Sequence, residues 1–175
     1  MKNKWTQYFL ILLREWGLFI LFITFFLLTR LFLWLPVQVD GHSMDPTLAN
    51  NQRVIVLKHT SIERFDIVVA KEVEDGKTKQ IVKRIIGMPG DTIDIVDGKV
   101  YLNGSDTPLD EPYLHEPMEP EEPQHYEVPD GCYFMLGDNR NYSNDARRWT
   151  HKYVKRDKLV AKVLFQYFPK IQKLN

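Results

Sequence analysis

The hydrophobic pattern of this 175-residue chain changes once, sharply, near Pro36. From Trp16 to Leu35 the residues read WGLFILFITFFLLTRLFLWL, apolar almost throughout, with Arg30 the only charge. About 20 such residues suffice to cross a bilayer as a helix. A cleavable leader has a shorter apolar core, about 7–15 residues, followed by small residues at the cleavage site. Here Pro36-Val37-Gln38-Val39-Asp40 follows instead. The pattern therefore predicts a retained transmembrane anchor over residues 16–36. Residues 1–15 carry Lys2, Lys4 and Arg14, which predict a cytoplasmic amino terminus. Arg30 is placed to snorkel toward headgroups. Residues 37–175 then form an extracytoplasmic domain.

After Pro36 the apolar runs become short and β-branched. RVIVL (Arg53–Leu57), FDIVVA (65–70), QIVKRIIG (80–87) and TIDIVDGKVYLNG (92–104) predict strands bounded by turn residues. Asp97-Gly98 predicts a two-residue hairpin, Asp75-Gly76 a second, and Met88-Pro89-Gly90-Asp91 a further turn. CYFMLGDNR (132–140) reads as a strand running into a polar turn, and KLVAKVLFQYFP (158–169) as a last strand. Residues 108–129, PLDEPYLHEPMEPEEPQHYEVP, are rich in proline and acid, a composition that resists helix and strand ladders and predicts a surface loop, partly extended. No internal repeat is visible. The expected fold class is mainly β behind one amino-terminal transmembrane helix.

Charge narrows the functions. Lysine plus arginine total 23 and aspartate plus glutamate total 23, a balance that argues against a nucleic-acid binder. The single cysteine, Cys132, cannot form an internal disulfide, and its flanks predict plain packing.

The stretch DGHSMDPTL (40–48) directs attention to chemistry. Ser43 follows Gly41 closely, and a glycine there lets another backbone approach. His42 is a poor base for it, because neighbours in an extended segment point to opposite faces and a triad needs the imidazole within hydrogen-bond reach. His59, His115, His125 and His151 lie in charged or proline-rich surroundings with no distinctive setting. Lys83, inside QIVKRIIG, is another candidate base. A free lysine titrates near roughly 10.4, and desolvation by apolar walls lowers that value by several units. Pattern alone nevertheless favours an edge-strand lysine with its charge in solvent. Arg84, next in the alternation, is expected to face the other way and stay wet.

GHSMDPTL, FDIVVA, VKRIIGMPGDTI and GDNRNYSNDAR (137–147), in this order and spacing behind a hydrophobic anchor, resemble the type I signal peptidases of the short Bacillus type. The resemblance spans essentially the whole chain. It implies a catalytic domain of coiled antiparallel sheets and a membrane-bound serine endopeptidase. That enzyme would cleave signal peptides of exported preproteins after Ala-x-Ala-like sites through an acyl-enzyme, without metal or organic cofactor. By the same resemblance Ser43 is the nucleophile and Lys83 the general base. Ser143 orients the lysine amine, Asp145 and Arg147 form a supporting ion pair, and Asp138 and Asn139 shape the same turn. The Ser43 N–H contributes to an oxyanion hole, and Gly41 leaves the second donor open. Val39, Met44, Leu48, Ile81 and Val82 match subsites for small residues at minus one and minus three. Implied partners are signal peptides, membrane lipid and a nearby secretion translocase, with no nucleic acid. The segment Arg147–Val160 departs from the pattern, with Thr150 or His151 near the place where relatives show glycine, which predicts a rebuilt turn. Three rivals remain at this point: an anchored β-rich module without catalysis, a self-cleaving Ser/Lys protease of the repressor type, and a Ser-His hydrolase.

Overall fold

A computed structural model describes residues 4–74 and 77–174. The chain divides after Leu35 into two units. The first contains helix α1, Lys4–Phe32. Within it Ile11–Phe32, 22 residues with mean hydropathy 2.1, are long and apolar enough to cross a membrane. At about 1.5 Å per residue such a stretch matches the ~30 Å hydrocarbon core. The helix stops short of the expected end at residue 36. Pro36 disfavours the α conformation in the residue before it, and Trp34–Gln38 are instead strand β1.

The second unit is built from antiparallel strands: β2 (Arg53–Leu57), β3 (Ile67–Glu74), β4 (Lys77–Gly87), β5 (Thr92–Val96), β6 (Lys99–Leu102), β7 (Gln124–Glu127), β8 (Cys132–Leu136), β9 (Val154–Lys155), β10 (Leu159–Phe168) and β11 (Gln172–Lys173). The large sheet runs β1-β2-β10-β3-β4-β8-β9, with β11 on β10, and the small sheet runs β6-β5-β7. The fold class is mainly β, as the alternation of β-branched residues requires. Asp97 and Gly98, with φ of 49° and 71°, close the β5–β6 hairpin as a left-handed two-residue turn. Asp75-Gly76, the other expected hairpin turn, lies outside the described residues. The main core gathers Ile85, Ile86, Phe134, Met135, Leu136 and Trp149, and Cys132 packs against its edge.

Two expectations are overturned. Residues 108–129 are a loop only as far as Pro123. Gln124–Glu127 is a proline-free window between Pro123 and Pro129, so its backbone can donate to a ladder, and it pairs with β5 as β7. Upstream of it Met118 is buried, and Glu111 binds Arg140. Nor is Arg84 wet. β4 is a central strand at that point, paired on both edges with Ile67 of β3 and Leu136 of β8, and Tyr113 and Asp138 cover the face on which Arg84 lies. Arg84 is fully buried, and its Nε and Nη2 donate to Asp138 Oδ1 and Oδ2 at 2.8 and 2.6 Å. Its Nη1 donates to the Phe65 carbonyl at 2.9 Å, and the Tyr113 ring lies 3.9 Å from its guanidinium carbon.

A bidentate buried ion pair is sensitive to loss of one partner because the other charge is then stranded. Asp138→Ala and Arg84→Met, made singly in the full chain, should each destabilise the second unit by about 3–5 kcal/mol, read by denaturant unfolding. The double substitution should cost clearly less than the sum of the two.

Candidate active site

Ser43 lies in the segment between β1 and β2. That segment is closed at its base by Val39 N–H to Gln52 C=O at 2.8 Å and Asn51 N–H to Val39 C=O at 2.9 Å. Met44 and Leu48, at 1% and 0% exposure, pin it to the core, and Leu48 N–H donates to the Met44 carbonyl. Gly41, at φ 100°, bends the approach to Ser43, a conformation that glycine adopts without strain.

Lys83 comes from β4, opposite Val68 of β3. It is 4% exposed, and its Nζ donates to Ser43 Oγ at 2.6 Å. Burial pushes its pKa below the ordinary lysine value, against the opposing fields of Asp145, Glu72 and Asp138. His42 points elsewhere. Its Nδ1 meets Asp45 Oδ2 at 2.8 Å, and its side chain is exposed.

The turn after β8 supplies the surroundings. Asn139 N–H donates to the Ser43 carbonyl at 3.1 Å, and Asn139 Nδ2 donates to the His42 carbonyl at 2.9 Å, so this residue grips the serine segment by its backbone. Asp145 accepts from Arg147 Nε and Nη2 at 2.9 and 3.0 Å and from the Gly137 N–H at 3.1 Å. Arg147 also donates to the Arg140 carbonyl at 2.6 Å. Asp138 is turned toward Arg84. Ser143 is fully buried beside this cluster, but its hydroxyl has no hydrogen-bond partner. The expected bond to the lysine amine is thus not formed, and the amine is directed to Ser43 instead. Gly137 explains the tight fit, because a Cβ there would collide with the Ser143 hydroxyl and the Ser43 carbonyl.

Of the expected subsite residues, Ile81 and Val82 line a cleft of about 160 Å³ that also contains Ser43, Lys83, Val37 and Val69. Val39, Met44 and Leu48 do not line it. Their side chains are buried because they anchor the serine segment. Arg140 went unnoticed in the sequence. It is 1% exposed, donates to the Gly137 carbonyl at 3.1 Å and to Glu111 Oε2 at 3.0 Å, and ties the acidic loop to the turn. An arginine beside three polar residues carries no periodic signal of burial. Among the described residues no group of three or more His, Cys, Asp or Glu is arranged to hold a metal ion.

A lysine whose folded pKa is lowered binds fewer protons than the unfolded chain between that value and about 10.4, so its penalty shrinks as pH rises through this window. Lys83→Met should therefore be more stable than wild type at pH 7, with the gap narrowing toward pH 10. Denaturant unfolding of both proteins across that range checks the sign.

Residues 13–168 match the family described as signal peptidase, peptidase S26. A signal peptidase I of Streptococcus pneumoniae (strain TIGR4) is 58% identical over 102 residues, covering 58% of this chain and 48% of that protein. The chain thus aligns with about half the length of that relative. The signal peptidase I S of Bacillus subtilis (strain 168) is 37% identical over 164 residues, covering 85% and 86% of the two chains. A crystal structure of a signal peptidase I from Enterococcus faecalis V583 aligns with a TM-score of 0.49 at 29% identity, over 59% of this chain and 97% of that one. On the family match across most of its length, this chain belongs to the peptidase S26 family of signal peptidases.

Proposed function

We propose that this chain is a membrane-bound serine endopeptidase that removes signal peptides from exported preproteins. The observation that carries the reading is the 2.6 Å contact between Ser43 Oγ and a desolvated Lys83 amine. Neutral Lys83 takes the Ser43 proton as Oγ attacks the scissile carbonyl. The lysine then gives that proton to the leaving amine, and the resulting ester joins Ser43 to the signal peptide. A water deprotonated by Lys83 hydrolyses the ester and frees the serine. The Ser43 N–H is a donor for the oxyanion.

The remaining roles follow from position. Asp145 and Arg147 brace the turn that faces Lys83, Asp138 anchors it through Arg84, and Asn139 holds the serine segment. Ser143, 0% exposed and unpartnered, is a ready acceptor for the amine once Lys83 turns from Ser43. β8 pairs with β4 only over Arg84–Gly87, so among the described residues its ladder does not extend to Ile81, Val82 and Lys83. That stretch of edge can take a substrate strand. The small side chains at minus one and minus three enter the cleft of Ile81, Val82, Val37 and Val69, with Val39, Met44 and Leu48 packed behind the serine segment. Helix α1 serves as the anchor, with residues 1–15 cytoplasmic and residues 37–175 outside. Membrane lipid is then a standing neighbour, the translocase that delivers the signal peptides lies close by, and tethering enzyme and substrate to one bilayer raises their effective concentration.

A preprotein cleavage assay in detergent tests the reading. Ser43→Ala and Lys83→Ala should each lower kcat/KM at least about a thousandfold, since nucleophile and base act as one unit. His42→Ala should stay within about twofold of wild type, because its ring is turned from Oγ. Cleavage should rise with pH and level off below the ordinary lysine range, because burial lowers the Lys83 pKa and the neutral amine is the base. Undiminished cleavage by either alanine variant sinks the dyad.

A further inference from the structure

We propose that Asp40, on the rim of the small cleft at Ser43, selects cationic over acidic side chains at position minus two of the preprotein. The proposal rests on the peptidase reading above and adds a determinant of substrate choice to the same site. The lining of the cleft separates by exposure. Val37, Val69, Ile81, Val82 and Lys83 are buried or half-buried, whereas Gln38, Asp40 and Gln80 are exposed. The floor is thus apolar around the lysine, and the rim is polar.

Charge singles out one rim residue. Among the described residues, Asp40 and Lys83 are the only charged side chains in the lining. Lys83 acts as a neutral amine in the peptidase reading, so the working cleft carries the charge of Asp40 alone. Gln38 is already occupied, its Nε2 donating to Asn51 Oδ1 at 3.0 Å. Asp40 makes no hydrogen bond or ion pair with any other described residue. Nothing on the protein neutralises it, unlike Asp45, which His42 meets at 2.8 Å.

The position of Asp40 is nevertheless fixed. On one side Val39 exchanges backbone bonds with Gln52 and Asn51, and on the other the Gly41 N–H donates to Asn50 Oδ1 at 3.1 Å. The carboxylate therefore stands on a held backbone three residues before the nucleophile.

The substrate's own geometry brings a side chain to it. An extended chain sends successive side chains to opposite sides. With minus one and minus three directed at the apolar floor, minus two points outward at the rim. A lysine or arginine there lays its stem along the rim and brings its charge to Asp40. A glutamate in the same place meets a like charge, and a glutamine meets neither effect.

The test uses the full chain in detergent and three preproteins identical except for Lys, Gln or Glu at minus two. In wild type the Lys substrate should exceed the Glu substrate in kcat/KM by about fivefold at low salt, one exposed attraction plus one exposed repulsion. The ratio should fall as ionic strength rises. Asp40→Asn should bring the two substrates together, and Asp40→Lys should invert their order. Each ratio is taken within one variant, so a loss of folded enzyme cancels. Equal cleavage of the Lys and Glu substrates by wild type, the reverse order, or a preference that Asp40→Asn retains overturns the proposal and leaves the peptidase reading intact. Failure of wild type to cleave even the Gln substrate overturns both.

Discussion

The contact between the Lys83 amine and the Ser43 hydroxyl is made where the amine has lost its water, and the surrounding charges are arranged so that no carboxylate restores that loss directly. Three acids act on Lys83 through space: Asp145, Glu72 and Asp138. Asp145 is held by Arg147, and Asp138 is chelated by Arg84. Each of these two carboxylates is therefore neutralised by a guanidinium with better geometry than an ammonium offers. Lys83 is left with a hydroxyl as its hydrogen-bond partner, and desolvation exceeds the opposing fields.

The same strand treats its two neighbouring cations in opposite ways, and the pairing of the strand explains the difference. At Arg84 the sheet has a strand on each side, and the guanidinium is enclosed with its own carboxylate. At Lys83 the β8 ladder has ended, and the amine is buried among side chains. One residue of offset thus separates a cation with strands on both edges from one past the end of the β8 ladder. The constraint is severe, because a slip of one residue in register would exchange the two faces.

Much of the fold was legible, because β-branched runs and the Asp97-Gly98 turn act locally. The Ser43 segment was legible as a motif; the alternation argument against His42 assumed an extended segment, whereas residues 41–47 are bends and turns, and His42 is held on Asp45 instead. Arg84 was misread because local pattern reports which face a residue occupies, not whether a second layer covers that face. The loop 108–129 was misread for a related reason. Its composition argues against a ladder on average, yet Gln124–Glu127 escapes the prolines, and its acids find buried arginines far away in sequence. Nothing in the sequence announces that Arg140, 29 residues from Glu111, is its partner.

That partnership gives the balanced net charge a structural meaning. Arg84 on β4 and Arg140 and Arg147 in the turn region after β8 are all buried. The proline-rich acidic segment reaches each of them. Tyr113 stacks on Arg84, Glu111 binds Arg140, and Met118 Sδ accepts from Arg147 Nη1 at 3.0 Å. Asn141 extends the seam by donating to Glu116 Oε1 and the Pro117 carbonyl and by accepting from the Glu119 N–H. Proline suits this task, since a stiff extended chain loses little entropy when it is laid across another surface. The segment is therefore a brace that supplies counter-charge to Arg140 through Glu111 and packing to Arg84 and Arg147 through Tyr113 and Met118. The rigidity of the turn that faces Lys83 depends on residues that read, in sequence, as the least structured part of the chain.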